Sequence, residues 1–437
     1  MSNRHYNVLM LGWEFYPVFA GGMGVVTSEI VSGLTQANIG VHFVIPRLPH
    51  KIEVENVLFT SAQDYISSPQ TKKVAKDISR NYSKTYVDTV FVPYKTQDLF
   101  KDENNDIEFN NQTFVEGTQN IINKNHTSKS IYHSEIWQDI KMFEDKIIEI
   151  ALDSDFDIIH AHDWITFRAA IKAKHITGKP VVLHVHATES DRSGDNPNKV
   201  VFDIEKECLH QADFIIAVSN KGKEDIIRNY LINPEKITVI HNSTTFHQPH
   251  IRTILAKKDK IVLFLGRLTM QKGPEYFIYS AEKVLKYLPE IIFVMAGDGD
   301  ALTQCIELVN KLNIEKNFVF TGFVTGEYKE RLFASADLFV MPSVSEPFGV
   351  VALEAIKSGT PVLVSKTSGA SEIISNALKV DFWDINKISD MIHATLKYPS
   401  LNSELTERQV NDLDSQNWNH QVDVIIEVYK KAISEAS

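Results

Sequence analysis

Short runs rich in Val and Ile recur along this chain, each followed by a polar or glycine-bearing turn and then a stretch of helical periodicity. The first series comprises Tyr6–Trp13, Gly40–Pro46, Phe156–His160, Pro180–Val185, Phe214–Val218 and Ile237–Ile240. The second comprises Ile261–Leu265, Ile291–Met295, Phe318–Phe320, Leu338–Met341 and Pro361–Val364. Apolar runs this short, without polar alternation, are strands buried on both faces, which is the signature of a parallel sheet covered by helices. The alternation therefore predicts a doubly wound α/β architecture. Its 437 residues exceed the roughly 250–300 at which a single core stops growing, so the two series are assigned to two domains, 1–245 and 246–418. Between them, Ser243–Lys260 breaks the apolar pattern with Ser, Thr, His and Pro and then Lys257-Lys258-Asp259-Lys260.

Composition narrows the class of partner. With 45 Lys and Arg against 56 Asp and Glu, the formal net charge is -11. That disfavours a protein that tracks nucleic-acid phosphates, while leaving room for a local basic patch that holds one phosphorylated ligand. Cys208 and Cys305 lie far apart without metal-ligand spacing and are expected as buried thiols. The apolar run Val8–Gly12 is too short for a signal-peptide core, and nothing approaches the roughly 18 apolar residues of a membrane span. A cytoplasmic location is expected. The stretch Lys101–Ser130, rich in Asn, Asp, Lys and Thr, is expected as a surface insertion.

Candidate chemistry lies where strands end, because open α/β sheets bind ligands there. Gly21-Gly22-Met23-Gly24 follows the first strand and opens a helix, as either a phosphate-approaching loop or a structural turn. His160-Ala161-His162-Asp163 and His184-Val185-His186 terminate two further strands. Two His and an Asp resemble a metal set, but no Glu or third His stands at zincin spacing, so no metal is expected. His186 lies nearest its strand's mouth, where it can bond a sugar hydroxyl or a reacting oxygen. Glu189-Ser190-Asp191-Arg192 beyond it is expected as a mixed polar rim.

In the second half, Gly266-Arg267 leaves a strand and Lys272-Gly273 precedes a helix, so the two cations can clamp a diphosphate or stand as solvated surface charge. Gly297 ends the next strand. Glu346 precedes a helix expected over Phe348–Lys357, and Glu354 sits about two turns on within it. The two carboxylates can take the hydroxyls of two sugar rings, leaving the N–H groups near Phe348, Gly349 and Val350 for phosphate. A half-buried Glu354 among apolar neighbours needs a ligand or a cation.

The residues together resemble the retaining glycosyltransferases of the glycogen and starch synthase type, the family 4/5 group with the GT-B fold. The resemblance rests on Glu346 and Glu354 within Ser345-Glu346-Pro347-Phe348-Gly349, on Gly359-Thr360-Pro361-Val362, and on Gly266-Arg267-Leu268 with Lys272-Gly273. It implies two Rossmann-like domains facing across a cleft, with a C-terminal helix near 419–437 returning to the first. It further implies that Arg267 and Lys272 neutralise the departing diphosphate, that Glu346 holds the transferred sugar, and that Glu354 holds the ribose. His186 would lie at the anomeric centre, Asp163 by the acceptor, and Gly21, Gly22, Gly266 and Gly297 along the donor. No metal or cofactor is implied. The implied reaction moves glucose from ADP-glucose, or another sugar from a nucleoside diphosphate, to the non-reducing end of an α-glucan. The synthases carry Lys-Thr-Gly-Gly where this chain has Phe19-Ala20-Gly21-Gly22, which admits a UDP- or GDP-sugar and another glycan or small acceptor. A nucleotide-sugar epimerase or hydrolase of the same fold is the expectation from a different class.

Overall fold

The computed structural model describes residues 6–16, 22–48, 54, 56–82, 136–194, 196–243, 260–414 and 418–436. Gly21, the Asn-rich stretch 101–130 and the boundary between the two series lie outside them. The described chain forms two compact units, one from 6–82, 136–242 and 418–436 and the other from 243–414.

The first unit is built on seven parallel strands: β1 (Asn7–Leu11), β2 (Gly40–Ile45), β3 (Val57–Ser61), β4 (Ile158–His162), β5 (Val181–Val185), β6 (Phe214–Ala217) and β7 (Ile237–Val239). Their order across the sheet is β3-β2-β1-β4-β5-β6-β7. The second unit has six: β8 (Ile261–Leu265), β9 (Ile292–Ala296), β10 (Phe318–Gly322), β11 (Leu338–Met341), β12 (Val362–Ser365) and β13 (Leu378–Val380). These run β10-β9-β8-β11-β12-β13, again all parallel. Each sheet reverses its winding direction beside its first strand, between β1 and β4 and between β8 and β11. Such a switch point leaves a crevice at the carboxyl ends of the two strands. The doubly wound α/β class expected from the repeated runs is the observed one.

Burial follows the apolar pattern. β4, β5 and β6 are buried at every residue, as are β11 and β12, which is what a sheet with helices on both faces requires. Strands β3 and β13 were not expected. β3 is half-exposed, with Leu58 60% exposed, and β13 has three residues, so neither carries the continuous buried run that marks the others. Strand β4 also lies two residues later than the Phe156–His160 run, so His162 as well as His160 stands within the strand.

The C-terminal helix, Trp418–Ala436, belongs to the first unit. It buries Trp418, Val422, Ile425, Tyr429 and Ala432, a stripe at helical spacing, and the Trp418 indole N–H donates to the Glu29 carbonyl at 3.0 Å. Gly33 permits this approach, because a Cβ there would stand 2.3 Å from Val422 Cγ2. Cys208 and Cys305 are buried and unpaired. Among the described residues, no helix is long and apolar enough to cross a membrane.

Candidate functional site

In the second unit the ends of β8 and β11 bring Gly266, Arg267, Lys272 and Glu346 to the switch point. Gly266 donates its N–H to the Ala296 carbonyl at 3.0 Å, and a Cβ at Gly297 would lie 1.9 Å from the Gly266 carbonyl oxygen. Gly299 likewise admits the Leu268 carbonyl, 2.3 Å from where its Cβ would stand. The turn after β8 is therefore packed onto the turn after β9, backbone to backbone. This packing leaves Arg267 exposed and accounts for a glycine at 297 without any ligand.

Lys272 ends a short 3-10 turn, Met270–Lys272, and the chain enters the helix Pro274–Leu285 through Gly273 at φ 63°. A Cβ at Gly273 would meet the Pro342 carbonyl oxygen at 2.3 Å, so the turn is held against the end of β11. Val344 N–H donates to the Gln271 carbonyl at 2.9 Å and reinforces this contact. The Lys272 ammonium consequently reaches the Glu346 carboxylate at 2.5 Å, joined by the Ser343 hydroxyl at 3.3 Å. Glu346 is only 5% exposed. Its backbone is fixed as well, since its carbonyl accepts from Gly369 N–H at 3.0 Å and its N–H donates to Thr367.

The helix expected from Phe348 begins at Val350, after Gly349 at φ 99°. Gly349 fits closely, for a Cβ there would stand 2.7 Å from Met341 Cε and 3.1 Å from Glu346 Cγ. Phe348 is buried, and its carbonyl accepts from Ala370 N–H and the Ser368 hydroxyl. Glu354 lies on this helix, half-buried, and its carboxylate meets Lys329 at 2.8 Å. Of the ligand or cation expected for a half-buried Glu354, the structure supplies a cation from the helix Gly326–Ser335, which sequence spacing did not indicate.

In the first unit, parallel pairing of β4 with β5 sets His162 opposite His184. Four imidazoles then share one face, with ring centroids 4.3–5.4 Å apart between neighbours. His186 Nε2 and His162 Nδ1 share a hydrogen bond at 2.9 Å. Burial lowers the pKa of His186, and the Asp163 carboxylate partly opposes that shift. Asp163 adopts φ 57° at the start of the helix Trp164–Thr177. From there Oδ1 accepts the backbone N–H of His186 at 2.7 Å and of Ala187 at 3.3 Å. Asp163 therefore fixes the turn that carries His186. Gly22 is the first residue of the helix Gly22–Gln36, and Gly21 is outside the described residues.

The segment after His186 is a buried scaffold rather than a polar rim. Thr188 and Asp191 form a reciprocal capping box. Arg192 bonds Glu189 at 3.2 Å, Glu205 at 2.5 Å and the Ala187 carbonyl at 2.9 Å. Glu205 also accepts from Glu189 N–H at 3.0 Å and from the Tyr230 hydroxyl. Burial pushes Glu205 up to about 7, against the pull of Arg192. Because this folded-state value lies above the ordinary 4.5, its contribution is complete below the unfolded pKa and is lost as pH rises through 7. Thermal stability measured from pH 5 to 8 should therefore fall more steeply for the wild type than for Glu205→Gln. Parallel profiles would contradict the buried carboxyl.

Residues 248–411 match the family model for glycosyl transferases group 1, and residues 113–245 match that for glycosyltransferase family 4. The chain is 35% identical over 252 residues to an uncharacterized glycosyltransferase of Methanocaldococcus jannaschii, covering 54% of this chain and 64% of that protein. It is 24% identical to a D-inositol 3-phosphate glycosyltransferase of Rhodococcus jostii, over 63% of this chain and 67% of the relative. It is 29% identical to a glycogen synthase of Mycobacterium tuberculosis, over 50% and 54%. The match thus spans less than two thirds of the first and third of these relatives. The fold resembles sucrose-phosphate synthase from Thermosynechococcus elongatus, with a TM-score of 0.73 at 18% identity over 99% of this chain and 100% of that one.

Proposed function

From the matches of residues 248–411 and 113–245 to the glycosyl transferases group 1 and glycosyltransferase family 4 models, we propose that this chain is a glycosyltransferase of that superfamily and transfers a sugar from a nucleoside diphosphate to an acceptor hydroxyl with retention of configuration. Glucose and the non-reducing end of an α-glucan are the favoured sugar and acceptor. The observation that carries the reading is the Lys272–Glu346 pair, 2.5 Å apart at the switch point of the second unit.

The pair suits a substrate with separated charges. A diphosphate draws the Lys272 ammonium and the Arg267 guanidinium, and neutralises them more strongly as it leaves. Glu346, released from Lys272, accepts hydroxyls of the transferred sugar. No metal is needed at the diphosphate in this reading, so the rate should not depend on added Mg²⁺. Glu354 holds the ribose, and Lys329, 2.8 Å away, orients that carboxylate. Glu354→Gln should then raise the KM for the donor by about tenfold while changing kcat little, because the ribose contact is equal in ground and transition states. A fall in kcat at unchanged KM would remove Glu354 from the ribose. In the first unit, His186 is held by Asp163 through its backbone N–H and by His162 through its ring.

The deciding experiment incubates the chain with ADP-, UDP- and GDP-glucose, each with and without a maltooligosaccharide. Acceptor-dependent nucleotide release with a longer glucan supports the reading. The similarity to an inositol phosphate glycosyltransferase motivates a second acceptor arm, a phosphorylated polyol. Transfer to that acceptor alone would replace the glucan and keep the donor site. Release without any acceptor would favour a hydrolase or epimerase.

A further inference from the structure

The four imidazoles on β4 and β5 form a site that sugar transfer does not use in full. His160-Ala161-His162 and His184-Val185-His186 each place two side chains on one face, two residues apart, and the strands are adjacent and parallel. His160, His162 and His184 are buried to 0%, 0% and 1% exposure, and one ring nitrogen from each lies within 4.8 Å of the others. His162 Nε2 and His184 Nε2 are buried without a hydrogen-bond partner. Buried polar atoms in that state are uncommon and call for a ligand, an ion or a water.

The hydrogen bonds around the rings have one self-consistent assignment that answers this. In it, His160 donates from Nδ1 to the Tyr429 hydroxyl at 2.5 Å, His162 from Nδ1 to His186 Nε2 at 2.9 Å, and His184 from Nδ1 to His160 Nε2 at 3.3 Å. Each of the three rings then carries its proton on Nδ1, the Nε2 lone pairs of His162 and His184 are bare, and that of His160 is engaged only by the 3.3 Å contact from His184. That is the arrangement of metal-binding histidines, whose other nitrogen donates to a neighbouring acceptor.

We propose that His160, His162 and His184 bind one borderline divalent cation of the zinc class through their Nε2 atoms. Imidazole nitrogen suits zinc, and three histidines are an established set of zinc ligands. Bonds of about 2.0–2.1 Å require the rings to turn inward from their present spacing, and the weak 3.3 Å contact between His184 and His160 opens in doing so. The ion would pin β4 to β5 and, through Tyr429 on His160, bind both to the C-terminal helix Trp418–Ala436. The role is structural, and the inference stands on the first unit alone, independent of whether the chain transfers sugar.

The test uses the full chain without a histidine tag, stripped with chelator. It is titrated with Zn²⁺ by calorimetry and with Co²⁺ by visible absorption. The wild type should bind one ion per chain, gain melting temperature, and give the intense absorption of four-coordinate Co²⁺, with three imidazoles and one water as ligands. The double variant His162→Gln/His184→Gln should lose that stoichiometric binding. Tyr429→Phe keeps all three ligands and should weaken affinity by about 10–100-fold. Absence of stoichiometric binding in the wild type, or equal affinity in the double variant, overturns the proposal. Should the double variant not fold, Tyr429→Phe decides, and unchanged affinity there overturns it. Because the readout is metal binding, failure here leaves the sugar-transfer reading untouched, and failure of transfer leaves this one.

Discussion

Lys272→Ala should lower acceptor-dependent sugar transfer by about 10²–10³-fold, the range found when one preorganised group facing developing charge is removed. The loss should fall mainly on kcat, because the diphosphate carries more charge on its bridging side in the transition state than in the bound donor. Removing Lys272 also strips Glu346 of its cation, and with Glu346 5% exposed the carboxylate is left poorly solvated. A second set of variants separates the two effects. Glu346→Gln alone should cost comparable activity, since the amide holds sugar hydroxyls less well. The double variant Lys272→Met/Glu346→Gln should be far from additive, because the two side chains touch. Product formation under saturating acceptor, with circular dichroism to confirm folding, measures all three. A Lys272→Ala enzyme within threefold of wild type would remove the pair from the reaction.

The parallel sheets were legible in the sequence because strands buried on both faces leave continuous apolar runs. β3 and β13 were not, since a half-exposed edge strand and a three-residue strand leave no such run. In the second unit the turns were legible locally, since Gly273 and Gly349 take positive φ against neighbouring atoms beside Lys272 and Glu346, but the contact between those two side chains, 74 residues apart, was not. What spacing could not show is contact between distant segments. Glu354 called for a cation, but Lys329 comes from the helix Gly326–Ser335, 25 residues earlier. Likewise the two histidine pairs are 24 residues apart, and only the register of β4 on β5 makes them one cluster. Glu189 and Arg192 read as a polar rim because charge so near a strand end is commonly solvated. Their burial follows from Glu205 and Tyr230, whose positions no local pattern gives.

That buried network carries the largest expected effect on stability. Arg192→Met should destabilise the first unit by about 3–5 kcal/mol, the cost of removing one partner from a buried ion pair. At roughly 2–4 °C per kcal/mol for a unit of this size, the melting temperature should fall by about 10 °C. Arg192 is the cation for both Glu189 and Glu205, with side-chain exposures of 8%, 3% and 3%, so its loss leaves two carboxylates without it. Methionine keeps much of the volume, which confines the change to charge and hydrogen bonding. The deficit should also depend on pH in a definite direction. Glu205 takes a proton near pH 7 in the wild type and at higher pH once Arg192 is gone, so the penalty shrinks in acid and grows from pH 6 to 8. Adding Glu205→Gln to Arg192→Met should recover part of the loss at pH 8 and little at pH 5. Because Arg192 also holds the Ala187 carbonyl, the turn bearing His186 loosens with it, and transfer should fall even at temperatures where the variant remains folded. A variant within about 1 kcal/mol of wild type at pH 8, with normal transfer, would show that the network holds neither the unit nor the turn.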